Sequence, residues 1–224
     1  MLGAPYADLH EKEVPVRQLA YCLDMPFERE SALRETLLER KVVHPGKYLT
    51  VVHDTVSDAE GKQHSREVVI HPGAVTVVAL LPDSRVILVR QYRHAAGEVL
   101  LELPAGTLDR QPDGAIEDPL AAARRELFEE TGHRAAAWRS LATFFTAPGF
   151  ATEQMTLFLA TEVSADPDYT GPEPDERLEI EFVAFDDAVA RARRGDIRDA
   201  KTLVGLYAVD ALARAGEIPE LRAR

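Results

Sequence analysis

The sequence predicts an α/β chain of the α+β kind, and three observations carry that expectation. Short apolar runs dominate from Val42 to Ile70 and again from Ala74 to Arg93. One strongly capped helix interrupts the strands near the middle of the chain. Two further helical stretches close it. The 224 residues are enough for one good-sized domain with a smaller appendage, and 46% hydrophobic against 29% charged residues is the balance of a chain able to bury a core.

Residues 1–36 read as an N-terminal extension. Val14 to Leu23 is predicted as a strand, and Pro26 to Arg40, with Leu33, Leu37 and Leu38 among charges, as a short amphipathic helix. A packed appendage is favoured for this part over a dimer contact or lid. An antiparallel β subdomain is expected over 37–71, with strands at 47–56 and 65–71 flanking the turn-forming Asp58–Gln63. The main domain is expected over 72–224. Ala74–Leu81 and Val86–Arg93, joined by Pro82-Asp83-Ser84, are predicted to form a second hairpin, its first strand too continuously apolar to face water. Strands follow at 140–145, 155–163 and 178–185. Asp186 or Asp187 would cap a helix ending at Gly195, and Asp199 would open the last helix. The loop 164–177, rich in Asp, Glu, Pro and Gly, has the length of a functional loop.

Thirty-eight acids against 26 bases give a formal charge of −12. Such a surface repels nucleic acid and anionic lipid, so neither is expected as a partner. A small phosphorylated ligand stays possible, because a bound divalent cation reverses the field locally. Cys22 is the single cysteine, which excludes an internal disulfide and a thiolate cluster. No apolar run approaches the roughly 18–20 residues that span a bilayer. The first residues lack a basic flank followed by an apolar stretch, so a signal peptide is not expected and a cytoplasmic setting is.

The chemistry concentrates in Gly106 to His133. Asp118 is a suitable N-cap, Pro119 suits the first helical position, and Gly132 suits the C-terminal stop. Leu120, Ala123 and Leu127 make an apolar stripe. Glu126 and Glu130 are four apart and therefore neighbours, with Glu129 beside them. Three acids near a helix C-terminus repel one another and meet the negative end of the dipole. Arg125 offsets part of this. A hard cation with oxygen ligands would resolve the rest, and Mg²⁺ is the usual choice where phosphates share the site. An exposed acidic helix end remains the competing explanation at this point.

The run Arg125-Glu126-Leu127-Phe128-Glu129-Glu130-Thr131-Gly132 resembles the core of the Nudix box, R-E-U-x-E-E-x-G, with Glu117 matching its upstream glutamate and Gly106 its opening glycine. Ten residues separate Gly106 from Glu117 where the box has five, and His133 stands at its last apolar position, read here as a helix-end residue. The resemblance implies a Nudix fold, a mixed β-sheet sandwiched between helices. It implies Glu126, Glu129, Glu130 and the carbonyl of Ala105 as ligands of Mg²⁺, with Mn²⁺ a substitute. Arg125 would orient Glu129.

Three further stretches resemble the ADP-ribose pyrophosphatase branch: Arg66 to Gly106, Thr146 to Phe150 with Pro148 sixteen residues past Gly132, and Ile197 to Thr202. The implied reaction is hydrolysis of a nucleoside diphosphate sugar, ADP-ribose first among them, with GDP-mannose, another sugar nucleotide or a dinucleotide as alternatives. Arg93 and Arg90 suit phosphate binding or stacking on adenine. Glu102 suits an adenine amino group or ribose hydroxyl. A surface arginine and a solvated acid are the plain alternatives for Arg90 and Glu102. The branch carries its catalytic acid on the loop after the strand that follows the box, which points to Glu176 and then Glu173. It also implies a homodimer paired through the N-terminal strands. A catalytically dead relative would lack a box carboxylate, and Glu126, Glu129 and Glu130 are all present.

Overall fold

The computed structural model describes residues 33–46, 49–171 and 177–221, in two compact units. The first comprises the chain up to His71 together with Ala147–Thr152. It is built on an antiparallel meander of β1 (Thr36–Pro45), β2 (Thr50–Ser57) and β3 (Gln63–Ile70), in that order. Val52, Asp54 and Val56 alternate inward from β2. The buried Asp54 carboxylate is held by one edge of the Arg40 guanidinium, with Nε–Oδ1 at 2.7 Å and Nη2–Oδ2 at 2.6 Å. The β2–β3 turn is the expected one: Asp58 accepts from the backbone N–H of Glu60 and Lys62, and Gly61 adopts φ 81°. Ala147–Thr152 joins this unit through Val69, whose N–H donates to Phe150 O at 2.7 Å.

The helix expected over Pro26 to Arg40 is corrected by this unit. Residues 26–32 lie outside the described residues, as does the strand expected at 14–23, and from Thr36 onward the chain is strand. Leucines at helical spacing stabilise a helix only when their stripe meets a core. Here Leu33 is 83% exposed, and pairing with β2 wins.

The second unit holds Pro72–Thr146 and the chain from Glu153 onward. A mixed four-stranded sheet runs β7 (Ala105–Thr107), β4 (Ala74–Ala79), β9 (Gln154–Ala165), β8 (His133–Phe145), with β4 and β9 parallel. A three-stranded antiparallel sheet runs β10 (Leu178–Ala184), β5 (Arg85–Arg93), β6 (Glu98–Glu102). The hairpin expected between β4 and β5 is therefore absent. Both edges of β4 are taken by β7 and β9, and both edges of β5 by β6 and β10, so only the bridge Leu80–Val86 links them at the turn. The strand expected at 140–145 starts earlier, at His133, directly after the central helix.

Every residue of β4 is buried. Val75, Val77 and Ala79 face α1 (Pro119–Thr131), where they meet Ala122, Ala123 and Leu127. Val78 and Leu80 face the other way, with Leu88, Leu157 and Leu159, toward α2 (Phe185–Arg194) and α3 (Ala200–Arg214). Alternate strand residues thus feed two cores, and the β-layer lies between helices. Ala184, not Asp186 or Asp187, is the N-cap of α2, and the two acids sit in its first turn, where they complement the dipole instead. Gly205 lets α3 approach closely, since a Cβ there would lie 2.5 Å from Leu103 Cδ1.

Leu127 is fully buried and anchors α1 to the sheet. Leu127→Ala is expected to lower the unfolding free energy by about 2–5 kcal/mol, measured by denaturant titration.

Candidate active site

Helix α1 begins where Asp118 accepts from Ala121 N–H at 2.9 Å and ends where Gly132 turns left-handed at φ 67°, its N–H closing on Phe128 O. Between these caps the helix brings its carboxylates against β7. Glu126 and Glu130 are not on a solvated face: they are 7% and 3% exposed. Glu130 Oε2 accepts from the N–H of Ala105 at 3.1 Å. The Glu126 carboxylate lies over Gly106, where a Cβ would fall 1.9 Å from its Cδ. Glycine is the residue that permits this approach, because any side chain would occupy the place of the carboxylate.

Arg125 gathers the other acids. Its Nη2 donates to Glu117 Oε2 at 2.8 Å, and its Nη1 to Glu126 Oε1 at 2.7 Å and Glu129 Oε2 at 3.0 Å. The hydrogen bond to Glu117 is the largest reason the guanidinium holds its proton more firmly than usual. In return Arg125 keeps the Glu117 carboxyl below the usual range. The long spacing before Glu117 is absorbed locally. Residues 110–116 fold back on themselves, Arg110 bridging Ile116 and Gln111 accepting and donating across the turn, and Glu117 N–H then donates to Asp109 O at 2.9 Å. The insertion leaves the glutamate at the guanidinium.

One guanidinium is hydrogen-bonded to three carboxylates, with Asp109 3.8 Å away and Glu130 adjacent, so the cluster carries excess negative charge where Glu126 and Glu130 are buried. The side-chain donors gathered here, Glu126, Glu129 and Glu130, are all oxygen. That donor set suits a hard divalent cation. Among the described residues no three His, Cys, Asp or Glu side chains converge in a metal-binding group, since these carboxylates turn to Arg125 and the Ala105 N–H.

The remaining candidates separate. Arg93 grips Glu102 bidentately, Nε–Oε1 and Nη2–Oε2 both at 2.8 Å, and Lys201 bonds the same carboxylate. Burial works to raise the Glu102 carboxyl, but Arg93 and Lys201 outweigh it and hold it below its usual range. Glu102 is thus an internal counter-ion with both oxygens engaged, not a solvated acid. Arg93 also feels the field of Glu130. Arg90 is three residues away on β5 and so on the opposite face, where it pairs with Glu181, which Arg191 also reaches at 3.4 Å. The structure therefore does not bring the two arginines together. Pro148 belongs to the first unit. Glu173 and Glu176 lie outside the described residues.

Sequence reasoning missed Tyr169. Its hydroxyl donates to Glu129 O at 2.8 Å, satisfying one of the orphan carbonyls at the end of α1, and its ring packs on Gly132 and edge-on to Phe128. The one available signal was a single aromatic in an otherwise polar loop. His133, buried, bonds Thr131 O through Nδ1 at 2.7 Å, a helix-end role as expected.

The model of the NUDIX domain matches residues 70–204, more than half of the chain and all of the carboxylate helix. The chain belongs to the Nudix family. Relatives of this Nudix hydrolase include a protein named ADP-ribose pyrophosphatase from Bacillus subtilis (strain 168), 34% identical over 181 residues, covering 81% of this chain and 94% of the relative. Another, named GDP-mannose pyrophosphatase, from Cronobacter sakazakii, is 30% identical over 184 residues, covering 77% and 93%. A solved structure of an ADP compounds hydrolase shares the fold, with a TM-score of 0.69 at 22% identity over 83% of this chain and 97% of that one.

Gly106→Ala is expected to push the Glu126 carboxylate aside and reduce hydrolysis about 100-fold, with the far-ultraviolet circular dichroism unchanged.

Proposed function

We propose that this Nudix hydrolase cleaves the diphosphate of a nucleoside diphosphate sugar with Mg²⁺, and that ADP-ribose, giving AMP and ribose 5-phosphate, is its substrate. The observation that carries the proposal is the pair of buried carboxylates, Glu126 over Gly106 and Glu130 on the Ala105 N–H, with the half-buried Glu129 tied to Glu126 through Arg125. Glu126, Glu129, Glu130 and the Ala105 carbonyl would hold Mg²⁺ or, in substitution, Mn²⁺. A divalent cation there supplies charge neutralisation for the diphosphate oxygens and a lowered pKa for water.

The protein's own residues account for the rest. Arg125 restrains Glu129 and Glu126 from one side. Arg93 offers a planar cation to a phosphate. A water oxygen forms the new bond to phosphorus as the bridging P–O bond breaks, and its proton passes to a carboxylate of the loop before β10, Glu176 as our first choice and Glu173 as the second. Arg90, turned to Glu181 on the opposite face of β5, is given no substrate contact in this reading. The resemblance of the Arg66–Gly106, Thr146–Phe150 and Ile197–Thr202 stretches to the ADP-ribose branch favours that substrate, as does the relative from Bacillus subtilis. GDP-mannose is the second reading, favoured by the relative from Cronobacter sakazakii.

The same proposal includes a homodimer built through the N-terminal strands and a cytoplasmic setting without nucleic-acid partners. Among the described residues no helix is long and apolar enough to cross a membrane.

A hydrolysis screen of sugar nucleotides with Mg²⁺, Mn²⁺ and a chelator tests the reaction. ADP-ribose is expected to turn over fastest and to stop with chelator; product formation that ignores the chelator would overturn the metal assignment. Glu130→Gln is expected to cut turnover about 100-fold or more, the scale of several kcal/mol of charge stabilisation. Because it also relieves repulsion, its melting temperature without metal should be level with or above that of the wild type. Glu176→Gln should lower kcat far more than it changes KM.

A further inference from the structure

The stretch Ile197 to Thr202 has a physical role that its sequence resemblance leaves unexplained. Asp199 caps α3, accepting from Thr202 N–H at 3.0 Å and from Thr202 Oγ1 at 2.6 Å. Two consecutive residues of the helix then bind two consecutive residues at the end of β6. Thr202 Oγ1 accepts from Leu103 N–H at 2.7 Å, and Lys201 Nζ donates to Glu102 Oε2. The Lys201 side chain is 11% exposed and that of Glu102 1%, so this is a buried ion pair. Lys201 also lies 3.0 Å from Asp199 Oδ1. The bonded strand end runs straight on through Pro104 to Ala105, whose N–H meets Glu130.

Arg93 approaches the same carboxylate from the other side. It uses Nε and Nη2, which leaves Nη1 without a hydrogen-bond partner among the described residues. A buried carboxylate demands compensation. Were Arg93 its only cation, the guanidinium charge would be cancelled by Glu102 and little would remain for another anion. Lys201 supplies a second positive charge, shared between Glu102 and Asp199, so Arg93 does not compensate the Glu102 carboxylate alone.

We propose that Lys201 is a positioning residue for diphosphate recognition: it holds Glu102 so that Arg93 presents the unused edge of its guanidinium to the anionic substrate. The inference rests on the reading of Arg93 as a phosphate contact of a sugar-nucleotide hydrolase. It assigns to α3, which carries no reacting group, the alignment of the substrate cation with the carboxylate helix.

The test uses the full chain, with ADP-ribose as the probe. Steady-state kinetics with Mg²⁺ are paired with calorimetric measurement of the ADP-ribose Kd in chelator, and melting temperatures are recorded for each variant. Lys201→Gln is expected to raise KM and Kd about tenfold while kcat stays within about twofold, the scale on which residues behind a binding group act. Lys201→Arg, which keeps the charge, should remain near the wild type and serves as the reporter should Lys201→Gln fold poorly. Arg93→Gln should raise KM and Kd further, and the double variant should be no worse than Arg93→Gln alone, because both changes act on one contact. A lowered melting temperature with unchanged KM and Kd, or a double variant in which the two effects multiply, overturns the proposal. Those results leave the hydrolase reading standing. Binding of ADP-ribose that follows this pattern without any hydrolysis sinks the reaction assignment and leaves the role of Lys201 intact.

Discussion

The site depends on one contact: a glutamate of α1 laid against a residue with no side chain on β7. With Gly106 in place the Glu126 carboxylate reaches the backbone of the strand, and Glu130, one turn on, receives the N–H of Ala105. Helix and strand are thus held at carboxylate distance rather than at the wider spacing set by intervening side chains. Everything else in the site is arranged around that approach. Leu127 fills the sheet side of the same turn, and the Asp118 and Gly132 caps fix where the helix starts and stops, hence which residues face β7.

The contact is electrostatically costly, and the neighbouring residues show how the fold tolerates it. Arg125 spreads one positive charge over Glu117, Glu126 and Glu129, and the chain folds back over 110–116 to deliver Glu117 there. A second network, Arg93 and Lys201 on Glu102, stands close enough for Arg93 to feel Glu130. The two networks have opposite characters. The first keeps acids together with too few cations. The second sets two cations, Arg93 and Lys201, against the deeply buried Glu102 and the Asp199 that caps α3. Excess negative charge beside a guanidinium with an unused edge is the arrangement a cation-bound diphosphate complements.

Much of this was legible in the residues. The caps of α1, the buried stripe and the clustered acids follow from spacing alone, because helix geometry converts sequence separation into neighbours. The two-faced burial of β4 was legible from its unbroken apolar run. Strand pairing was legible for the β2–β3 hairpin but not for β4 and β5. The turn Pro82-Asp83-Ser84 looks like a hairpin, and nothing local reveals that β4 and β5 spend their edges on other partners. The leucines of 33–38 mimic a helix whose core never arrives. Parity, by contrast, was available and unused: an odd separation along a strand puts Arg90 and Arg93 on opposite faces. Tyr169 could not have been paired with Glu129, forty residues earlier, without the fold.

The geometry also explains why the box identifies a reaction more readily than a substrate. The carboxylates, Arg125 and Gly106 answer to one another, so changing any of them disturbs the approach of α1 to β7. Arg93, Glu102 and Lys201 answer to a different constraint, the neutrality of a buried acid. That constraint can be met by other residue combinations without touching the helix, and with each combination the guanidinium would sit differently. A family can therefore keep its helix while varying the groups that grip the two ends of the diphosphate. Relatives that share this helix's family and bear different substrate names are the expected consequence. On the roles proposed for Arg93 and Lys201, specificity would be set where α3 meets β6, by residues that satisfy the fold first and reach the ligand only through what they leave free.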